Sequence, residues 1–233
     1  MQNYNDYNYG EIDRKSAIAS QMTRVFGWMF IGLMITGLTA LYTATNETVM
    51  RSIISSRFTF YGLVILEFVF VWFISSRAMK MEYGVAAGAF ALYAVLNGLT
   101  LSVIFWAYTG QSIALAFFMT AGFFGFMSVY GLVTKTDLTS LGSLFLVGLI
   151  GLIIVSIVNI FLHSPTLYWI ISYVGVILFL GLTAYDSQKI KNISLQYMGT
   201  EKERNVAIVG ALTLYLDFIN LFLYILRILG KRR

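Results

Sequence analysis

Cysteine is absent from the 233 residues, and histidine and proline occur once each, as His163 and Pro165. Without thiols there is no disulfide, no thiolate nucleophile and no cysteine-ligated metal. A single imidazole excludes a multi-histidine metal site. With one proline, helix ends must be set by glycine, polar caps and charge. Charge is scarce too, at 12% of residues, where soluble domains carry roughly a quarter. What fills the chain is apolar: 58% of residues are hydrophobic and the mean hydropathy is +0.77. So little polar surface cannot cover a globule in water, and lipid is the expected solvent for one compact membrane domain. The net charge of +5 then bears on orientation in a membrane rather than on nucleic acid.

Apolar windows of about 20 residues, the length of a spanning helix, recur near 25–44, 58–76, 85–108, 113–133, 141–162, 167–186 and 205–229. The links RAMKMEYG, TGQS, TKTDLTS and HSPT are short, which forces antiparallel neighbours. The expected fold is all-α: a polytopic bundle of seven transmembrane helices over 23–230. A polar Asn/Tyr-rich tail over 1–22 precedes it, too polar to pack and lacking a signal-peptide core. A basic tail over 231–233 follows. With alternating spans, Arg14, Lys15, Arg24, Arg77, Lys80, Lys135, Lys189, Lys191, Lys202 and Arg204 gather at one end. The loops at the other end hold only Arg51 and Arg57. That bias places the N-terminus in the cytoplasm. Seven crossings put Lys231, Arg232 and Arg233 outside, against the bias; a last segment that re-enters and returns is the alternative.

Small residues allow helices to approach closely in lipid, so Gly84 and Gly88, Gly122 and Gly125, and Gly148 and Gly151 are expected at helix contacts. The longest link, SQKIKNISLQYMGTEKERN, reads as the sixth helix running on past the membrane to a turn at Gly199. Thr200 and Glu203 then form a capping box for the seventh. Asn97 and Asn159 are expected to bind neighbouring helices, and His163 to lie in a loop. Tyr42, Trp106, Tyr108, Tyr168 and Trp169 read as aromatics at the membrane interface.

An ionised side chain at the bilayer centre costs at least about 2.5 kcal/mol. Glu67 in LVILEFVFVW and Asp217 in LYLDFINLF are therefore out of place, and Asp186 in LTAYDSQKI stands nearer a helix end. Thr213, Asp217, Asn220, Tyr224 and Arg227 recur at intervals of 4, 3, 4 and 3, which lines one helical face. Such a stripe must be shielded from lipid, so the seventh helix is expected at the centre of the bundle. From Gly199, Asp186 lies 13 residues back and Asp217 18 onward. At about 1.5 Å per residue their levels differ by about 7 Å, which tilt or a shifted turn absorbs. Two carboxylates that meet there share one proton and titrate as a unit. The competing readings are an Asp186–Lys189 pair one turn apart, a neutral Asp217 bonded to a neighbouring helix, and Glu67 as a neutral buried acid.

In AYDSQKI (184–190), in ALTLYLDFINLFLYILRILG (211–230) and in its seven-span layout, the sequence resembles the Bax inhibitor family, over essentially the whole chain. The resemblance implies six helices around a central seventh and a pH-sensitive calcium leak channel. The bare loops look most like a bacterial member, which sits in the cytoplasmic membrane. Asp186 and Asp217 match the family's paired aspartates, Arg77 is the nearest match to a basic residue linked to that pair, and Glu67 matches the acid of the second helix.

The leading expectation is a passive cation pathway. Arg77 and the aspartates close its cytoplasmic mouth until a proton changes the charge balance, and a wet path past Glu67 and Asn220 conducts. Calcium would be held weakly and transiently at Asp186 and Asp217, since no EF-hand loop is present. No cofactor is implied; calcium is cargo, and the partners are the lipid bilayer, calcium ions and protons, with no nucleic acid. Two other classes stand beside this one. A membrane interaction protein would modulate proteases or cell-death and stress regulators without transport. An intramembrane aspartyl protease would use the same two acids, but its Gly-x-Gly-Asp and Pro-Ala-Leu motifs are missing, so the chain is read as no enzyme.

Overall fold

The structure, a computed structural model, describes residues 2–232, with side chains described from Lys15 onward except that of Arg57. The described residues are helical almost throughout and hold no strand, only an isolated bridge between Tyr108 and Arg232. In chain order the helices are α1 (Gln2–Thr45), α2 (Glu47–Ile54), α3 (Arg57–Arg77), α4 (Tyr83–Leu101), α5 (Ile104–Ala107), α6 (Gly110–Val133), α7 (Gly142–Leu162), α8 (Pro165–Gln196) and α9 (Glu203–Leu229). All but α2 belong to segments long and apolar enough to cross a membrane, α4 and α5 sharing one of them, so the chain is a seven-span membrane protein.

Hydropathy locates these spans closely, with one difference at the start. Gln21 and Met22, assigned to the polar tail, are buried. Gln21 donates from Nε2 to the Glu203 carbonyl at 2.6 Å, so a polar residue ahead of the apolar window is already packed on α9. The side chains of the tail up to residue 14 lie outside the described residues. Short α2 also escaped the hydropathy reading; it folds back with Met50 and Ile53 buried, capped by Asn46 accepting from Val49 N.

Helix α9 is central. It packs mainly against α8, α1, α6 and α4, and 72% of its apolar window is buried, against 11% for the α3 span and 6% for the α7 span. The expected ring of six is therefore a ring of four, with α3 lying outside α4 and α7 outside α8. Both outer helices are apolar over most of their surface, which suits a helix immersed in lipid, with Glu67 of α3 turned towards α4. After crossing completely, α9 ends at Gly230, and the chain docks at that end of the bundle. Thr109 N donates to the Lys231 carbonyl at 3.2 Å, and Lys231 N to Ser112 Oγ at 3.0 Å. The described chain makes no re-entrant return.

Close helix approach falls on other glycines than those expected. Gly84, Gly88, Gly122, Gly125 and Gly151 face open space, and only Gly148 touches a neighbour, Leu178. The tight approaches are Gly131 on the Ala184 backbone, Gly98 on Thr36 and Thr39, and Gly210 on Ile190. Small-residue spacing cannot tell which face of an apolar helix meets protein and which meets lipid. Gly199 does take the left-handed conformation at the end of α8, with φ +73°. The capping box does not form. Thr200 Oγ1 donates back to the Tyr197 carbonyl, and the Glu203 carboxylate accepts from Gly199 N at 2.9 Å.

Candidate functional site

Helix α8 overruns the α6 and α7 ends, and this overrun with the first turns of α9 encloses a cavity of 370 Å³. Ile193, Gln196 and Tyr197 of α8 and Val206 of α9 line it towards the turn. Asp186, Lys189 and Thr213 line it deeper in the bundle. Val206, Val209, Gly210 and Thr213 follow one helical face, and Asp217 is the next residue on that face. The first carboxylate thus stands in the cavity wall and the second behind it. Both are buried, Asp186 at 7% exposure and Asp217 at 5%.

Asp186 and Lys189 each lie within Coulombic reach of Asp217. No hydrogen bond joins the carboxylates, and Asp217 Oδ2 is buried with no hydrogen-bond partner. The hydroxyls of Ser187 and Ser128 are also buried without one. Burying an acceptor unpaired costs on the order of 1–3 kcal/mol, so this polar pocket is held open by the fold around it rather than by its own bonds.

The fastenings come from AYDSQKI itself. Gln188 reaches across to the α6–α7 connection, where its Oε1 accepts from Leu138 N at 2.8 Å and its Nε2 donates to the Thr136 carbonyl at 2.9 Å. Lys191 Nζ donates to the Leu132 carbonyl at 2.7 Å, placing a cation at the negative end of α6. Lys189 lies over the Tyr185 ring at 5.5 Å, and that ring meets Phe145 edge-on at 6.0 Å. From the α9 side, Asn205 Nδ2 donates to the carbonyls of Ala78 and Met81 at 2.7 and 2.9 Å. Sequence reasoning missed Gln188 and Asn205. The available signal was an amide within one turn of a charged motif, where only a side chain long enough to span helices can satisfy loop backbone.

Two expected participants are elsewhere. Arg77 is exposed at the end of α3 and makes no ion pair with either aspartate. The turn that follows it does reach α9 and lines the aspartate cavity through Met79, but the Arg77 side chain itself is turned outward; the cation beside the pair is Lys189. Glu67 stands beside Asn97 and Thr100 of α4, and Glu67 Oε1 and Asn97 Oδ1 are both buried without a hydrogen-bond partner. On that side α9 presents Tyr215, whose hydroxyl lies 2.7 Å from Thr36 Oγ1 and whose ring meets Phe90 and Tyr93 edge-on. Asn220 is five residues further, about 140° around the helix, and donates to its own Leu216 carbonyl at 2.8 Å. Glu67 and Asn220 therefore lie on different sides of α9 and do not line one path.

Towards the other end the α8–α9 seam is plugged. Tyr224 stacks on Phe179 at 5.8 Å and packs so closely over Gly175 that a Cβ there would strike its ring. Beyond this plug the seam opens again into polar cavities lined by Asn159, Tyr168, Arg227 and Arg232. Among the described residues no three acids or histidines stand together to hold a metal. Calcium takes six to eight oxygens, so the aspartate pair is an incomplete coordination site, suited at most to passing contact.

The family described as "Inhibitor of apoptosis-promoting Bax1" matches residues 18–233. The chain is 46% identical over 224 residues to the protein called "Inner membrane protein YbhL" of Escherichia coli (strain K12), covering 95% of this chain and 96% of that one. It is 46% identical over 213 residues to a protein of Borreliella burgdorferi, covering 91% and 92% of the two chains. A protein of Deinococcus radiodurans is 41% identical over 211 residues, covering 91% and 90%. With a matching family over nearly its whole length and relatives that align from end to end, the chain belongs to the Bax inhibitor family.

Proposed function

We propose that this protein is a proton-gated cation leak of a bacterial inner membrane, with calcium as the transported ion and the N-terminus in the cytoplasm. One observation carries the reading: a cavity reaches Asp186, with Asp217 buried directly behind it and lacking a partner for Oδ2. Two carboxylates so placed hold and release a proton as one unit. The polar groups beside it are Lys189 and Thr213, and Lys189 takes the part first given to Arg77. Loss of the proton turns the cavity floor anionic, which favours cations entering it. The Tyr224–Phe179 plug and the arginines beyond it fit a closed state. Glu67, on the α3–α4 seam, lies outside this path.

The basic residues around the α8–α9 turn support a cytoplasmic location for that end, and the printed name of the Escherichia coli relative supports the inner membrane. No catalytic role is assigned, since the carboxylates are not hydrogen-bonded to each other. The test is flux of calcium into dye-loaded liposomes over a pH series. Asp186→Asn and Asp217→Asn are expected to flatten the pH dependence. Unchanged flux with an unchanged pH profile in both variants overturns the reading.

A further inference from the structure

At the end of the bundle opposite the aspartates, two contiguous cavities of 570 and 350 Å³ share Asn159, Tyr168, Arg227 and Arg232. Arg227 belongs to the last turn of α9, while Arg232 arrives from the segment docked beside α6. Among the described residues neither guanidinium is paired with a carboxylate: the ion pairs join Arg24 to Glu203 and Arg51 to Glu47. Both arginines instead converge on one ring, lying 5.9 and 5.7 Å from the centre of Tyr168. Arg232 Nη2 also donates to the Tyr168 hydroxyl at 3.3 Å. Like charges drawn together repel, and among the described residues no carboxylate lines either cavity.

Each guanidinium has five N–H donors, and most here face open volume. The start of α8 in the same wall is already satisfied, with Ser164 Oγ accepting from Leu167 N and Asn159 Oδ1 from Ser164 N. The charged donors left open in this wall are those of the arginines, and they call for acceptors. Two forked cations facing one cavity suit a tetrahedral oxyanion with several acceptor oxygens. The rim carries Trp169, 43% exposed, a residue typical of headgroup depth.

We propose that this vestibule binds a phosphate-bearing anion through Arg227 and Arg232, presented as the headgroup of an anionic phospholipid or as free phosphate. This inference is independent of the gating reading, because it involves neither aspartate and its readout is binding.

The test uses the full chain in an uncharged detergent, titrated calorimetrically with short-chain phosphatidylglycerol, short-chain phosphatidylcholine and inorganic phosphate. Saturable binding of phosphatidylglycerol or inorganic phosphate is expected, weakened about tenfold by Arg227→Gln or Arg232→Gln and about a hundredfold by both. Binding of phosphatidylglycerol without inorganic phosphate assigns the site to lipid, and the converse assigns it to the free ion. Three results overturn the proposal: neither anion binds; phosphatidylcholine binds as tightly as phosphatidylglycerol while inorganic phosphate does not bind; or the double variant, melting as the unmodified protein does, binds undiminished. The ligand series on the unmodified chain decides the matter even where a variant fails to fold.

Discussion

Replacing Gln188 with alanine removes both hydrogen bonds that hold the α6–α7 connection onto α8. Leu138 is buried at 6% exposure, so its N–H loses its partner without gaining water, at a cost of about 1–3 kcal/mol. The Thr136 residue is exposed, and its carbonyl is rehydrated, so that bond contributes only about 1 kcal/mol. Together the connection loses about 2–4 kcal/mol of local stability. At about 1.4 kcal/mol per factor of ten, local opening becomes at least about 30-fold more frequent. Hydrogen exchange in peptides covering residues 134–141 reads this directly. Gln188→Glu keeps the acceptor for Leu138 N–H and is expected to fall between the two proteins. Exchange in Gln188→Ala within about threefold of the unmodified chain would refute the clamp.

Three further outcomes are expected. Gly131→Ala forces α6 away from the Ala184 backbone and lowers stability by about 1–3 kcal/mol or more, whereas Gly122→Ala, in open space, stays within about 0.5 kcal/mol; thermal unfolding in detergent compares them. Tyr224→Ala removes the plug over Gly175 and raises calcium flux in liposomes about several-fold; equal flux shows that the seam is not the pathway. Asp137 is held below the usual carboxylate range by the Thr139 hydroxyl and then by its N–H. A depressed folded value means this contribution is present above the ordinary carboxylate pKa and is lost only as pH falls through the lower folded one. Asp137→Asn therefore leaves any flux response between about pH 5 and 8 unchanged.

The sequence already contained the spans and the place of α9, because in lipid a polar stripe has nowhere to go but the protein interior. It also raised the expectation, counted from one turn at Gly199, that Asp186 and Asp217 approach each other; both are buried, with Asp186 in the cavity wall. It could not indicate what depends on which helix is outermost. Arg77 seemed as available to the aspartates as Lys189 until its side chain, at the end of the outlying α3, proved to be turned outward. Five of the six expected glycines failed for the same reason, their faces being turned away from any neighbour, while Gly148 meets Leu178. Arg227 was visible on the stripe, yet its companion Arg232 reaches the same cavity only through the docked end of the chain, a tertiary arrangement with no periodic signature.

Helices α3 and α7 are each fastened along a single seam, to α4 and to α8. They are flanks, not pillars: each gives most of its surface to lipid, and neither stands between α9 and the four helices around it. Glu67 lies on the α3 seam, so a single helix contact shields that acid, while the aspartates sit deep among the helices around α9.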